Sequence, residues 1–246
     1  MNKNERAESA ANWLHYMTSK YMDKIRHSIE RTVAVTDVTL DSIPIGEPTL
    51  NNTVTRVFKN DVCNCTYAAV SHSRDAKVCV LNFASYKNPG GGFLKGAHAQ
   101  EEALCNVSGL YPVLLAQTAW YEKHRNEDID GCYSNDYIYS EDVPFIHNGK
   151  VFFVDVLTIA APNTKATRRK DVNKIMKERM EVAIKVAISK GVTVMLLGAF
   201  GCGAFGNDAK FVAEEWKRLI DKYYGYFREV VHPVIDVATY KVFKDV

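Results

Sequence analysis

Four short, largely apolar runs constrain this chain most: residues 78–83 (VCVLNF), 151–161 (VFFVDVLTIAA), 192–198 and 230–237. Runs of this length, apolar on consecutive residues, suit strands buried on both faces, the kind found in parallel and mixed sheets. Segments of helical periodicity lie between them. Residues 100–121 read as helix with a break near Gly109 and Pro112, and residues 211–224 read as helix. Residues 171–190 form an amphipathic helix with Ile175, Met176, Arg179, Ala183 and Val186 on or near one face. Strands alternating with helices predict an α/β fold, a mixed or largely parallel sheet sandwiched between helices. The 246 residues suffice for one large core.

The N-terminal part reads differently. Trp13, Met17, Tyr21 and Ile25 repeat at helical spacing and predict a helix over residues 5–29. Residues 30–52, rich in Thr, Asp, Pro and Asn, read as a connector with short extended pieces, and residues 53–59 alternate like a half-buried strand. The expected organisation is therefore a helical extension over residues 1–52, packed on an α/β core over residues 53–246. Residues 125–149 are polar and read as an excursion with a short hairpin.

Thirty-one basic and 29 acidic residues leave a net charge of +2. So weak a field disfavours duplex nucleic acid as a partner. The first ten residues, MNKNERAESA, lack the apolar core of a secretory signal. No apolar run reaches the ~18 residues of a membrane span. The six cysteines then read as free thiols of a cytoplasmic protein.

Two glycine-rich segments follow predicted strands. The first is Asn88-Pro89-Gly90-Gly91-Gly92-Phe93, trailed by Gln100-Glu101-Glu102. Three glycines in a row let backbone approach a ligand closely and turn its N–H groups toward an anion. Glu101 and Glu102 open a predicted helix, where successive side chains diverge by about 100°. One carboxylate can then act on a substrate while the other orients it. The second segment is Gly198-Ala199-Phe200-Gly201-Cys202-Gly203-Ala204-Phe205-Gly206-Asn207-Asp208, between a strand and a helix that Asn207 or Asp208 would cap. Backbone N–H groups at a helix N-terminus suit a pyrophosphate. Residues 201–206 literally satisfy G-x-G-x-x-G, but the loop is late in the chain and no acidic residue ends the next strand about 20 positions on, since Asp236 lies later. A phosphate-binding role survives that objection and a nicotinamide role gains nothing. In α/β sheets, ligands sit beyond the carboxyl ends of the strands, so the two segments should meet there.

NPGGG, seven residues, then QEE resembles the signature of poly(ADP-ribose) glycohydrolases, a branch of the macrodomain superfamily. LNFASYKNPGGGFLKGAHAQEEAL and GAFGCGAFGND are similar to the bacterial-type branch, whose members carry a helical N-terminal extension. The resemblance runs over most of the chain. It implies a macrodomain-like core that hydrolyses ribose–ribose bonds of poly(ADP-ribose), from chain ends, and releases ADP-ribose. It makes Glu102 the catalytic acid/base and Glu101 the residue that orients the distal ribose. Gly90, Gly91 and Gly92 become the catalytic loop, with Gln100 beside it in the substrate site and Asn88 on a ribose hydroxyl. Gly201, Cys202, Gly203 and Ala204 become the diphosphate loop, and Phe205 the aromatic holding the distal ribose. It implies no cofactor and no metal.

The chemistry follows from that assignment. Glu102 would protonate the departing hydroxyl and then activate water, and burial or nearby negative charge would have to keep it protonated near neutral pH. The alternatives are removal of mono-ADP-ribose from a protein or nucleobase, and a non-catalytic ADP-ribose reader. Retention of both glutamates weighs against the reader. Cys63, Cys65 and His72 fit no standard zinc spacing. The basic run Arg168-Arg169-Lys170 with Lys174 and Lys177 reads as a solvated helix start or a secondary contact to an anionic polymer.

Overall fold

A computed structural model of the chain describes residues 1–73, 75–127 and 130–246. The apolar runs lie side by side in a seven-stranded sheet. Its strands are β1 (Thr32–Val35), β2 (Val54–Phe58), β3 (Val78–Phe83), β4 (Tyr137–His147), β5 (Lys150–Ile159), β6 (Val194–Leu196) and β7 (Glu229–Pro233). Their spatial order is β1-β4-β5-β3-β6-β7-β2. Neighbours from β5 to β2 run parallel, while β4 is antiparallel to both β5 and β1. The mixed sheet expected from the sequence is therefore present, with its apolar strand β3 at the centre.

Among the described residues, eight α-helices cover it: α1 (Lys3–Glu30), α2 (Val62–His72), α3 (Gln100–Cys105), α4 (Leu110–Leu115), α5 (Thr118–Asn126), α6 (Val172–Ser189), α7 (Ala209–Lys222) and α8 (Val237–Asp245). The period-two alternation of β3 divides the core. Cys79 and Leu81 pack with Met176, Met180 and Ala183 of α6 and with Val212, Trp216 and Leu219 of α7. Val78 and Val80 pack on the other face, with Leu104 of α3, Leu110 of α4 and Trp120 of α5. Asn82 shares that second face, which aims a polar side chain at α3.

The structure bears out some details of the sequence expectations and alters others. The break near Gly109 and Pro112 is real: Pro112 sits in the first turn of α4, where its missing N–H costs no hydrogen bond. The hairpin expected within residues 125–149 is not short. Asn148 and Gly149, both at positive φ, turn the tip between an 11-residue β4 and a 10-residue β5. In the 30–52 stretch, one of the expected short extended pieces is an edge strand of the sheet, β1. The last strand stops at Pro233, and Asp236 caps α8 by accepting from the Thr239 N–H at 2.8 Å.

Helix α1 lies against α4 and β4. Met17 and Ile25 are fully buried and pack on Val113, and the Trp13 indole N–H donates to Ser108 O at 3.1 Å. Arg6 Nε donates to Gly96 O at 2.9 Å, so the N-terminal helix also holds the turn that follows the first glycine loop.

Candidate active site

Strand β3 ends at Phe83, and residues 84–99 return over its carboxyl end before α3 begins at Gln100. This path stacks the first glycine loop on the N-terminus of α3. The two carboxylates of that helix are both buried, at 3% and 5% exposure, and diverge as successive helical residues must.

Glu102 is the third residue of α3. Its Oε2 accepts the Ala99 N–H at 2.9 Å, the carboxylate half of a capping box. Its Oε1 accepts the Gly92 N–H at 2.8 Å. The carboxylate is thus clamped between helix cap and glycine loop. Glu101 points toward the sheet. Its Oε2 accepts the Ser85 N–H at 2.7 Å, and its Oε1 accepts from Asn82 Nδ2 at 3.2 Å. Burial pushes the Glu101 carboxyl up to about 8, opposed by the Ser85, Asn82 and Gly90 donors and reinforced by the neighbouring charge of Glu102.

The second glycine loop, between β6 and α7, arrives on the other side. Asn207 closes it by donating through Nδ2 to Pro162 O at 2.8 Å and to Gly201 O at 3.1 Å. Asp208, not Asn207, caps α7, accepting the Phe211 N–H at 2.7 Å. Gly201 adopts φ +73°, and a Cβ there would meet Ala161 Cβ and Asn207 Nδ2 at 2.6 Å. Only glycine fits. Among the described residues, the N–H groups of Gly203, Ala204 and Phe205 donate to no protein acceptor, which leaves them available to an anion at the start of α7. Burial pushes the Cys202 thiol up to about 12, so it stays protonated and is a poor nucleophile.

The two loops face each other across a cavity of about 270 Å³. Asn88, Gly91, Glu101, Glu102, Ala204 and Phe205 line it. The remaining candidates stand behind or beside that wall. Gly90 packs on Tyr111, and Gly92 presents its N–H to Glu102. Gly201 is buried in the loop's base, Cys202 is half-buried and Gly203 is exposed. Gln100 spends its side chain on the sheet, accepting from Phe83 N–H at 2.9 Å and donating to Leu81 O at 2.7 Å, so it braces α3 against β3.

Ser85, Tyr86 and Tyr133 also line the cavity and escaped the sequence reading. Ser85 and Tyr86 lie in the SYKNPGGG segment, where their nearness to the loop was a signal. Tyr133 lies in the polar excursion, with no motif to mark it. A larger hollow of about 410 Å³ lies between β2, α7 and α8. It holds neither glycine loop nor either glutamate, whereas the smaller cavity brings the loops and both carboxylates together.

The family model for the microbial-type PARG catalytic domain matches residues 5–148. Among solved structures, the chain is similar to poly(ADP-ribose) glycohydrolase from Thermomonospora curvata, with 28% identity over 98% of this chain and 99% of that one, at a TM-score of 0.90. The same enzyme bound to the inhibitor ADP-HPD matches at 28% identity, the same coverage and a TM-score of 0.88. Poly(ADP-ribose) glycohydrolase from Deinococcus radiodurans in complex with ADP-ribose matches at 31% identity over 90% of this chain and 96% of that one, with a TM-score of 0.77. Comparison with curated proteins gives no match.

Proposed function

Because the chain belongs to the microbial-type PARG catalytic-domain family, we propose that it hydrolyses the ribose–ribose glycosidic bonds of poly(ADP-ribose) from chain ends and releases ADP-ribose, with Glu102 as its acid/base. The observation that carries this reading is the clamp on Glu102. Two backbone N–H groups, from Gly92 and Ala99, hold its carboxyl at the wall of a cavity faced by an anion-binding loop.

In the proposed reaction the distal diphosphate lies on the free N–H groups of Gly203 to Phe205, and Phe205 and Tyr133 wall in the sugar. The Glu102 carboxyl gives its proton to the bridging oxygen as the bond from that oxygen to the anomeric carbon breaks. The ribose left behind is oxocarbenium-like, and the diphosphate beside it offsets the developing positive charge. Glu102, now a carboxylate, takes a proton from water, whose oxygen bonds the anomeric carbon. The acid is thereby restored. Glu101, fixed by Ser85 and Asn82, orients the ribose.

Cleavage from chain ends has its own test. A time course on long polymer, resolved by length, should show ADP-ribose accumulating from the first turnovers while the longest chains shorten gradually. Early oligomers of intermediate length would instead mean internal cleavage. All six cysteines are free thiols, which fits the cytoplasmic location we assign. Among the described residues, no helix is long and apolar enough to cross a membrane.

A further inference from the structure

We infer that Arg179 is a positioning residue for the substrate pocket, acting from behind it by holding Tyr133 in place; the inference rests on the proposed reading of that pocket as an ADP-ribose site. Arg179 lies on the apolar face of α6 at 1% exposure, where a guanidinium is costly to bury. Its hydrogen bonds, among the described residues, all go to neutral oxygens. Nε donates to Asn135 Oδ1 at 2.7 Å, one terminal nitrogen donates to Cys132 O at 3.1 Å and Tyr133 O at 3.0 Å, and the other donates to Ala160 O. Three of these acceptors belong to one short loop and the fourth to the residue following β5. The planar fork therefore ties the 132–135 loop to the carboxyl end of the sheet, beside the cavity.

That loop needs a tether. Tyr133 adopts φ +60°, a left-handed conformation unfavourable for a bulky side chain. Its ring stacks on Tyr86 at 4.5 Å and stands 6.1 Å from Phe205 across the cavity. The catalytic carboxylates are anchored separately, by Asn82, Ser85, Gly92 and Ala99. Arg179 thus governs the aromatic wall and not the acid.

Lysine at this position keeps the charge but cannot span the same acceptors. Arg179→Lys should weaken ADP-ribose binding by about tenfold, within the range of coupled contacts, and leave kcat at saturating polymer nearly unchanged. In a Tyr133→Ala background the same substitution should add little further loss, because its effect runs through that ring. Hydrogen exchange at residues 131–136 of the ligand-free protein should quicken in Arg179→Lys. The partly exposed Asn135→Ala, which removes one tether, should reproduce a weaker form of each effect. Unchanged loop exchange, unchanged affinity, or a full additional loss in the Tyr133→Ala background would overturn the inference. If wild type binds no ADP-ribose, the reading of the pocket fails, and loop exchange alone then decides whether Arg179 holds Tyr133.

Discussion

Gly91 lies directly against Glu102: a Cβ on Gly91 would sit 2.5 Å from Glu102 Oε1 and 2.9 Å from Glu101 Oε2. The absence of a side chain at this one residue lets the loop close on both carboxylates. Gly91 also adopts φ +60°. Gly91→Ala should therefore act twice. The left-handed backbone costs alanine about 1–2 kcal/mol, seen as a lower Tm. The methyl group must also displace Glu102, and a misplacement near 1 Å is enough for a loss of about 10²-fold in kcat. Calorimetry and steady-state turnover check the two effects separately. Near-normal turnover would show that the loop does not set the position of Glu102.

The raised Glu101 carboxyl makes stability depend on pH. In the unfolded chain it titrates near 4.5, and in the folded protein near 8. Between these values the unfolded chain has released the proton that the folded protein still holds, so stability falls as pH rises through this window and levels off above it. Glu101→Gln removes the effect. The variant should be no more stable than wild type near pH 4.5 and increasingly more stable up to about 8, while turnover falls because the ribose loses its orienting carboxyl group. Denaturant unfolding at three pH values tests this. A stability gap that does not change with pH would contradict it.

Much of this arrangement was legible in the sequence, and the reasons differ by element. The buried runs announced β3, β5, β6 and β7 because strands covered on both faces have no polar alternation to confuse them. The glycine loops announced themselves by composition, and their place after strands put them at one sheet edge. Tyr133 and Arg179 were not legible as site residues. Their importance comes from a loop conformation and a buried fork that join segments more than 40 residues apart (46 for Tyr133 O and Arg179). The bonds of the Gln100 side chain to the backbone of β3 were likewise not legible from its motif position.

Asn207 should matter for binding through the loop it closes. It is 7% exposed, and its amide bonds two carbonyls, of which Pro162 O depends on that side chain while Gly201 O also accepts the Asn207 backbone N–H at 3.1 Å. Asn207→Ala should destabilise the fold by about 1–3 kcal/mol and weaken ADP-ribose binding more than it lowers kcat. Phe205→Ala, which leaves the loop's own bonds in place, should weaken binding with little change in Tm. Titration calorimetry with ADP-ribose beside thermal unfolding separates the two. Equal Tm losses in both variants would mean that Phe205 serves packing rather than the ligand.

The central claim is that the clamped Glu102 carboxyl moves the proton in glycosidic cleavage, and Glu102→Gln tests it most directly. Glutamine keeps the shape and one acceptor oxygen for the loop N–H groups but cannot deliver or take up the proton. Wild type and variant would be incubated with poly(ADP-ribose) and the products resolved by chromatography, with ADP-ribose affinity measured in parallel. The account predicts free ADP-ribose from wild type, none above background from Glu102→Gln, and similar affinity for both. Release of ADP-ribose by the variant at a rate near wild type would contradict it.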